Sequence, residues 1–127
     1  MKLSFKIKNL EKEMEILSET TQKRVTANLL KVYILTIKRT PVDTGRARNN
    51  WFTRMGAAKT GGLERDGKRG GGDAVQESRE VLSKYTLGQN VFFSNNVPYI
   101  RRLEFGNWSG QAPNGMLRRS IEDVVSR

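Results

Sequence analysis

The chain begins with two different hydrophobic patterns. Apolar and polar residues alternate from Leu3 to Ile7, which is typical of a short, half-buried β-strand with a basic outer face. The apolar positions then change to helical spacing, with one stripe formed by Leu10, Met14, Leu17 and Thr21. The pattern therefore predicts a short strand followed by a long helix over residues 10–39.

The second half of this predicted helix is apolar on almost every side. A helix that is apolar all round is buried all round. In a chain of 127 residues we expect one side to face the core and another to face a second subunit, since large apolar patches mark interfaces. The alternative is a helix enclosed wholly by its own fold. The candidate interface residues are Leu29, Val32, Tyr33 and Leu35, together with Trp108 from a later loop.

The stretch from Thr40 to Trp51 separates this helix from the rest of the chain. Pro41 cannot continue a helix, and it disfavours a helical conformation for the residue before it. Asp43 and Thr44 can accept hydrogen bonds from the N–H groups of a new helical turn. We therefore expect the stretch to end one helix, start a short second one and bring Trp51 into the core.

The remaining pattern predicts two strands and three short helical elements. The strands are expected at residues 51–55 and 91–93. Helices are expected over residues 74–85 with Asp73 as cap, over about one turn ending at Gly106, and after Asn114 as the last cap. The predicted fold is a single α+β domain over residues 1–127, with the long N-terminal helix packed on a small antiparallel sheet and a helix at the C-terminal end.

A glycine-rich basic segment, residues 56–73, interrupts these elements. It contains almost no apolar residue, so little offsets the entropy lost on ordering it, and we predict a flexible loop. Basic residues concentrate in and just before it, as expected for a surface that meets phosphate or an acidic partner. The candidate DNA-facing or partner-facing residues are Arg46, Arg48, Lys59, Arg65, Lys68 and Arg69.

Composition narrows the chemistry. The chain has no cysteine and no histidine, which excludes thiolate nucleophiles, a Ser-His-Asp triad and the usual zinc sites, and we expect neither an enzyme nor a cofactor. Its formal net charge is +10, which favours nucleic acid or an acidic partner; a merely solvated basic surface is the alternative. No apolar run approaches the ~20 residues of a membrane span, so we expect no membrane partner.

Two short motifs suggest other chemistry and are weak in this context. Asp43-Thr44-Gly45 is the tripeptide of retroviral-type aspartic proteases, but it follows a predicted helix end rather than a buried strand, and Arg46 replaces a small apolar residue. The glycines at residues 70–72 suggest a phosphate loop, but the Lys-Ser/Thr pair that such a loop needs is missing.

Three separated segments together resemble a bacteriophage family. Pro41-Val42-Asp43-Thr44-Gly45-Arg46 is similar to its P-V-D-T-G-x-L opening, and Pro98-Tyr99 with Leu103-Glu104-Phe105-Gly106 is similar to its Y-A-x-x-x-E-F-G segment. Ala112-Pro113-Asn114-Gly115-Met116-Leu117-Arg118 resembles the A-x-P-F-M-R lead into its final helix. The family comprises the tail-completion, or neck, proteins of long-tailed phages, of the lambdoid minor-tail type.

The resemblance implies a structural virion protein without catalytic residues. Such proteins form rings, here a hexamer or dodecamer, between the head connector and the tail terminator and tail tube, with the genome passing through the bore. The protein would be made in the host cytoplasm and reside in the neck of the virion. Pro41, Asp43, Thr44 and Gly45 would set the central turn, and Tyr99, Glu104, Phe105 and Gly106 the later junction. A small basic nucleic-acid-binding protein is the competing hypothesis, with non-specific DNA contact common to both.

Overall fold

The computed structural model of the protein describes residues 2–42, 46–61, 65–67, 70–106 and 115–126, and the side chains of its first helix from residue 12 onward. The elements are α1 (Lys2–Arg39), α2 (Arg46–Asn49), β1 (Trp51–Met55), α3 (Gly72–Leu82), β2 (Val91–Asn95), α4 (Ile100–Phe105) and α5 (Leu117–Val125). The two strands pair antiparallel. The predicted α+β class, with its long N-terminal helix, small antiparallel sheet and C-terminal helix, is confirmed.

Helix α1 dominates the molecule. Its 38 residues span about 57 Å at 1.5 Å per residue. The strand predicted between Leu3 and Ile7 is wrong, because the helix already begins at Lys2. A strand needs a neighbour for its backbone N–H and C=O groups, whereas a helix satisfies most of these groups itself. A few alternating residues do not reveal whether such a neighbour exists.

The predicted end of α1 and the short helix after it are confirmed. Thr40 is fully buried just past the helix, and its hydroxyl accepts a 2.8 Å hydrogen bond from the Trp51 indole N–H. Arg48 reaches back from α2 and donates to the carbonyls of Thr40 and Lys38, both at 2.9 Å. These bonds satisfy acceptors that the end of a helix leaves open. The capping predicted for Asp43 and Thr44 lies outside the described residues.

An aromatic stack ties the sheet to α1. The Phe93 ring lies between the rings of Tyr33 and Trp51, with centroid distances of 4.1 Å and 4.6 Å and nearly parallel planes. Trp51 is 5% exposed, so the prediction that it enters the core is confirmed. On the same face of the sheet, Thr53 shares a 2.9 Å hydrogen bond with Ser78 of α3. The second half of α1, the sheet and α3 thus enclose the core.

The opposite face of the sheet is covered by part of the glycine-rich segment. Phe52 points to this face and is only 3% exposed. Lys59 and Arg65 place their charged groups 4.8 Å and 4.1 Å from the Phe52 ring centroid. Further hydrogen bonds to the segment come from Asn49 to the carbonyl of Asp66, from Asn50 to that of Arg65, and from Asn96 to that of Lys59. The described parts of the predicted loop are therefore bonded to the body of the protein.

The start of α3 differs from the prediction. The helix begins at Gly72, one residue before Asp73, and its N-cap is Gly71, so Asp73 lies in the first turn instead of capping it. Asn49 takes over part of the capping, because its side-chain oxygen accepts the Ala74 N–H at 3.1 Å while its amide donates to Asp73 at 3.0 Å. Gly71 has to be small, since a Cβ there would lie 2.5 Å from the Ile37 side chain.

Phe93→Ala should lower the free energy of unfolding by about 3 kcal/mol, because it removes the middle ring of the stack and leaves a cavity. Phe92→Ala is the matched control, since Phe92 lies on the other face of β2 and is 37% exposed. The control should cost about 1 kcal/mol or less. Urea unfolding followed by circular dichroism measures both variants. Equal losses would contradict the central position assigned to the stack.

Candidate interaction surfaces

Glu104 joins two segments that the sequence analysis treated separately. This carboxylate is buried, with 8% of the residue exposed, and it lies at the start of α5. One oxygen accepts the backbone N–H groups of Met116 and Leu117 at 3.0 Å and 2.7 Å. The other accepts the backbone N–H of Arg118 at 3.3 Å and its side-chain Nε at 2.9 Å. A side chain of α4 therefore caps α5, and Met116, the N-cap residue, makes no side-chain cap of its own.

The electrostatics of this junction favour the ionised carboxylate. Burial alone would raise the pKa of Glu104, but the hydrogen bonds from Leu117, the Arg118 side chain, Met116 and the Arg118 backbone together lower it below the ordinary glutamate value. The first turn of a helix also attracts negative charge, because its N–H groups have no partners within the helix. Glu104 is thus a charged structural anchor, and its hydrogen-bonding capacity is largely occupied.

Two glycines make this junction sterically possible. Gly115 has a φ of +84°, and a Cβ there would collide with the Glu104 carboxylate. Gly106 ends α4, as predicted, and a Cβ there would lie 2.8 Å from the carbonyl oxygen of Arg102. Asn114, the residue predicted to cap the last helix, lies outside the described residues.

The other residues of the two predicted turn motifs differ in how far they are buried. Tyr99 is half-buried against the core, whereas Phe105 is 61% exposed, with the Arg118 guanidinium 4.6 Å from its ring centroid. Pro41 is half-buried directly after α1. Asp43, Thr44 and Gly45 lie outside the described residues, so their predicted functions stay predictions.

The described residues among the basic ones predicted to face DNA or a partner do not form one surface. Lys59 is 8% exposed, and Arg65 forms a 2.7 Å ion pair with Glu77 as well as stacking on Phe52. Arg48 is half-buried and holds the end of α1, while Arg46 is exposed. Lys68 and Arg69 lie outside the described residues. Lys59 and Arg65 therefore cover one face of the sheet, and Arg48 satisfies acceptors at the end of α1.

The predicted interface residues are likewise distributed between core and surface. Val32 and Tyr33 are 9% and 6% exposed and pack with Leu82 in the subunit's own core. Leu29 is half-buried against the same cluster, and Leu35 is half-buried on another side of α1. Trp108 lies outside the described residues. The alternative expectation, a helix enclosed by its own fold, thus holds for Val32 and Tyr33. Leu35 instead lies beside an open groove.

This groove runs between α1 and α5 and has a volume of about 850 Å³. Its apolar lining comes from Leu30, Ile34 and Leu35 of α1 and from Val124 and Val125 of α5. Arg39 borders it and bonds to Asp123, and this hydrogen bond lowers the pKa of the Asp123 carboxyl. The helical spacing of apolar residues in α5 is visible in the sequence. The sequence does not show which side of α1 remains exposed once α5 packs against it.

A second apolar surface lies on the first half of α1. Residues 12–21 are exposed throughout, and Met14, Ile16 and Leu17 are 56–65% exposed. The first described side chain of α1 that bonds to the body is Gln22, which donates to the carbonyl of Tyr85 and accepts the N–H of Leu87. We call residues 12–21 the helical arm. The spacing of Met14 and Leu17 predicts an apolar stripe, and the fold shows that no described element covers it.

The described residues contain no cluster of three acidic side chains that could hold a metal ion. None of the helices within them is long and apolar enough to cross a bilayer.

Comparison with protein-family models, curated proteins and solved structures finds no match to this chain in any of the three.

Glu104→Gln should reduce the free energy of unfolding at pH 7 by about 2 kcal/mol, because the neutral amide is a weaker cap and a weaker acceptor from Arg118. The folded-state pKa of Glu104 lies below its ordinary value of 4.5, so the ionised form stabilises the fold above that pH. This contribution disappears as the pH falls through the depressed folded-state pKa. Urea unfolding as a function of pH should therefore show the two proteins converging in acid.

The exposed Glu122 on α5 provides the control. Glu122→Gln should change stability at pH 7 by no more than about 0.5 kcal/mol. A Glu104→Gln protein as stable as the original at pH 7 would refute the capping assignment.

Proposed function

We propose that this chain is a structural protein of the neck of a long-tailed bacteriophage. In this proposal it is a tail-completion subunit that forms a ring of six or twelve copies where the head joins the tail, with the genome passing through the bore. Its neighbours would be the connector, the tail terminator and the tail tube. It would act by binding other subunits, without catalysing a reaction.

The observation that carries the proposal is the helical arm. Met14, Ile16 and Leu17 leave more than half of their surface in water, on a helix that extends beyond the body of its own subunit. Exposed apolar side chains grouped in this way are typical of association surfaces. Helical stability in proteins comes mainly from packing of an apolar face, so a contact with another chain would stabilise the arm.

The Glu104 junction supports the same proposal through the sequence resemblance. Glu104 belongs to the second of the three phage-like segments, and Met116, Leu117 and Arg118 belong to the third. The two segments are bonded to each other through this carboxylate. The two phage-like segments therefore form one physical unit of the fold, and this supports the proposal.

Loss of the gene from the phage that encodes this protein should leave filled heads and separate tails. The physical reason is that the ring would supply the surface on which head and tail meet. Electron microscopy of the lysate measures the proportion of joined particles, and supplying the wild-type gene on a plasmid should restore it. Normal joining in the absence of the protein would reject the proposed function.

A basic nucleic-acid-binding protein is the second candidate, and one observation favours it. Residues 22–39 of α1 carry five basic residues and no acidic one. Arg24, Lys31 and Lys38 are exposed and recur every seven residues, so they follow one side of the helix about 10 Å apart. Such a stripe suits a phosphate backbone.

A salt titration of binding to a random-sequence DNA duplex distinguishes the two candidates. The neck proposal predicts weak, sequence-independent binding, with a Kd above ~10 μM at physiological salt, since only charge attraction contributes. Replacing Arg24, Lys31 and Lys38 by alanine should weaken it further, whereas Ser18→Ala should not. Submicromolar binding by a monomer would favour the nucleic-acid-binding candidate instead.

A further inference from the structure

The helical arm and the groove cannot meet within one subunit. The arm occupies residues 12–21 of α1, and one wall of the groove is formed by residues 27–39 of the same helix. A continuous helix advances 1.5 Å per residue along one axis, so the arm continues past the groove wall instead of folding back across it. An arm that binds such a groove must therefore bind the groove of another copy.

The two surfaces match in length and in chemistry. Ten arm residues span about 15 Å, and the groove wall from residue 27 to residue 39 spans about 18 Å. Met14 and Leu17 are three residues apart and lie on neighbouring sides of the helix, the spacing with which an amphipathic helix binds an apolar groove. The groove presents Leu30, Ile34 and Val125 as complementary apolar contacts.

The two surfaces also carry opposite charges. The arm contains one lysine and three glutamates, which gives a net charge of −2 in a protein whose total is +10. The groove wall, residues 27–39, carries a net charge of +3 and no acidic side chain. On α5 the basic residues Arg118 and Arg119 balance Glu122 and Asp123. An acidic arm is therefore attracted to the basic side of a second copy, and this attraction orients the approach.

We infer that the helical arm of one copy binds the groove between α1 and α5 of the next copy. Met14 and Leu17 enter the groove against Leu30, Ile34 and Val125, and the arm glutamates face Lys31 and Lys38. The contact is head-to-tail, because each copy gives an arm on one side and receives one on the other. It rests on the proposed assembly of copies and names the surfaces that form it.

Each copy added by such a contact can bind a further copy. The assembly therefore either closes into a ring or continues as a filament. A symmetric pairing of two arms is the competing arrangement, because the stripe of Met14 and Leu17 would also suit a two-stranded coiled coil. The two arrangements differ in which residues approach each other across the interface.

Disulfide trapping separates them, and the protein is well suited to it because the sequence contains no cysteine. Leu17→Cys and Val125→Cys proteins are prepared separately, mixed at about 100 μM and oxidised mildly. The head-to-tail contact predicts a mixed disulfide between the two variants, and little dimer from Leu17→Cys alone. Lys12→Cys is the matched control, since its position is about 140° around the helix from Leu17 and should give much less mixed product.

Association of the cysteine-free protein is measured by sedimentation over the same concentration range. Leu17→Ala should weaken it about tenfold or more, as expected for a buried anchor, while Ser18→Ala should leave it unchanged. High salt should weaken it as well, since opposite charges contribute. Efficient Leu17→Cys homodimers without mixed product would replace the inferred contact with an arm–arm pairing. A monomer at 100 μM that gives no mixed disulfide would overturn the contact altogether.

Rejection of the arm contact can be distinguished from rejection of the proposed function. Failure of head–tail joining without the gene, together with absence of the mixed disulfide, would retain the neck function and reject the arm contact. A mixed disulfide in a protein whose loss leaves joining normal would retain the contact and reject the neck function.

Discussion

The Phe93 ring is the contact on which the subunit depends most, because a sheet of two five-residue strands cannot hold itself together in water. Stacked between Tyr33 of α1 and Trp51 of β1, it connects the helix to both strands. Thr53 and Ser78 attach α3 to the same face. On the other face Lys59 and Arg65 cover Phe52. Both faces of the sheet are therefore shielded from water, although the chain has few apolar residues.

Buried polar side chains hold several segments in place through hydrogen bonds, where a longer chain would use a larger apolar core. Asn49 and Asn50 are fully buried and hold the described parts of the glycine-rich segment through its backbone carbonyls. Glu104 holds α5 against α4 in a similar way, through backbone N–H groups. Since a buried polar group is costly unless it is bonded, these anchors specify one arrangement of the segments they touch.

The long helix has one part packed in the core and another part exposed to solvent. Its second half carries Tyr33 and Ile37 in the core, together with the basic residues that border the groove. Within its first half, residues 12–21 carry a net charge of −2 and are solvent-exposed, with apolar residues that no described element covers. This division of charge and burial places the exposed apolar residues and the basic groove wall at different positions along one helix. It is the physical basis of both the proposed ring and the inferred contact between copies.

The sequence by itself determined most of the elements, because local spacing and breakers decide them: α1 ends before Pro41, Trp51 begins a strand, Gly106 ends α4, and the apolar positions of α5 recur with helical period. It could not determine which backbone groups find partners at long range. For that reason its pattern predicts a strand from Leu3 to Ile7, where α1 has already begun, and a cap at Asp73, which Asn49 partly replaces. It also could not separate Val32, which the sheet and α3 bury, from Leu35, which α5 leaves beside an open groove. Only tertiary packing decided which apolar and charged side chains are used within the subunit and which remain on its surface.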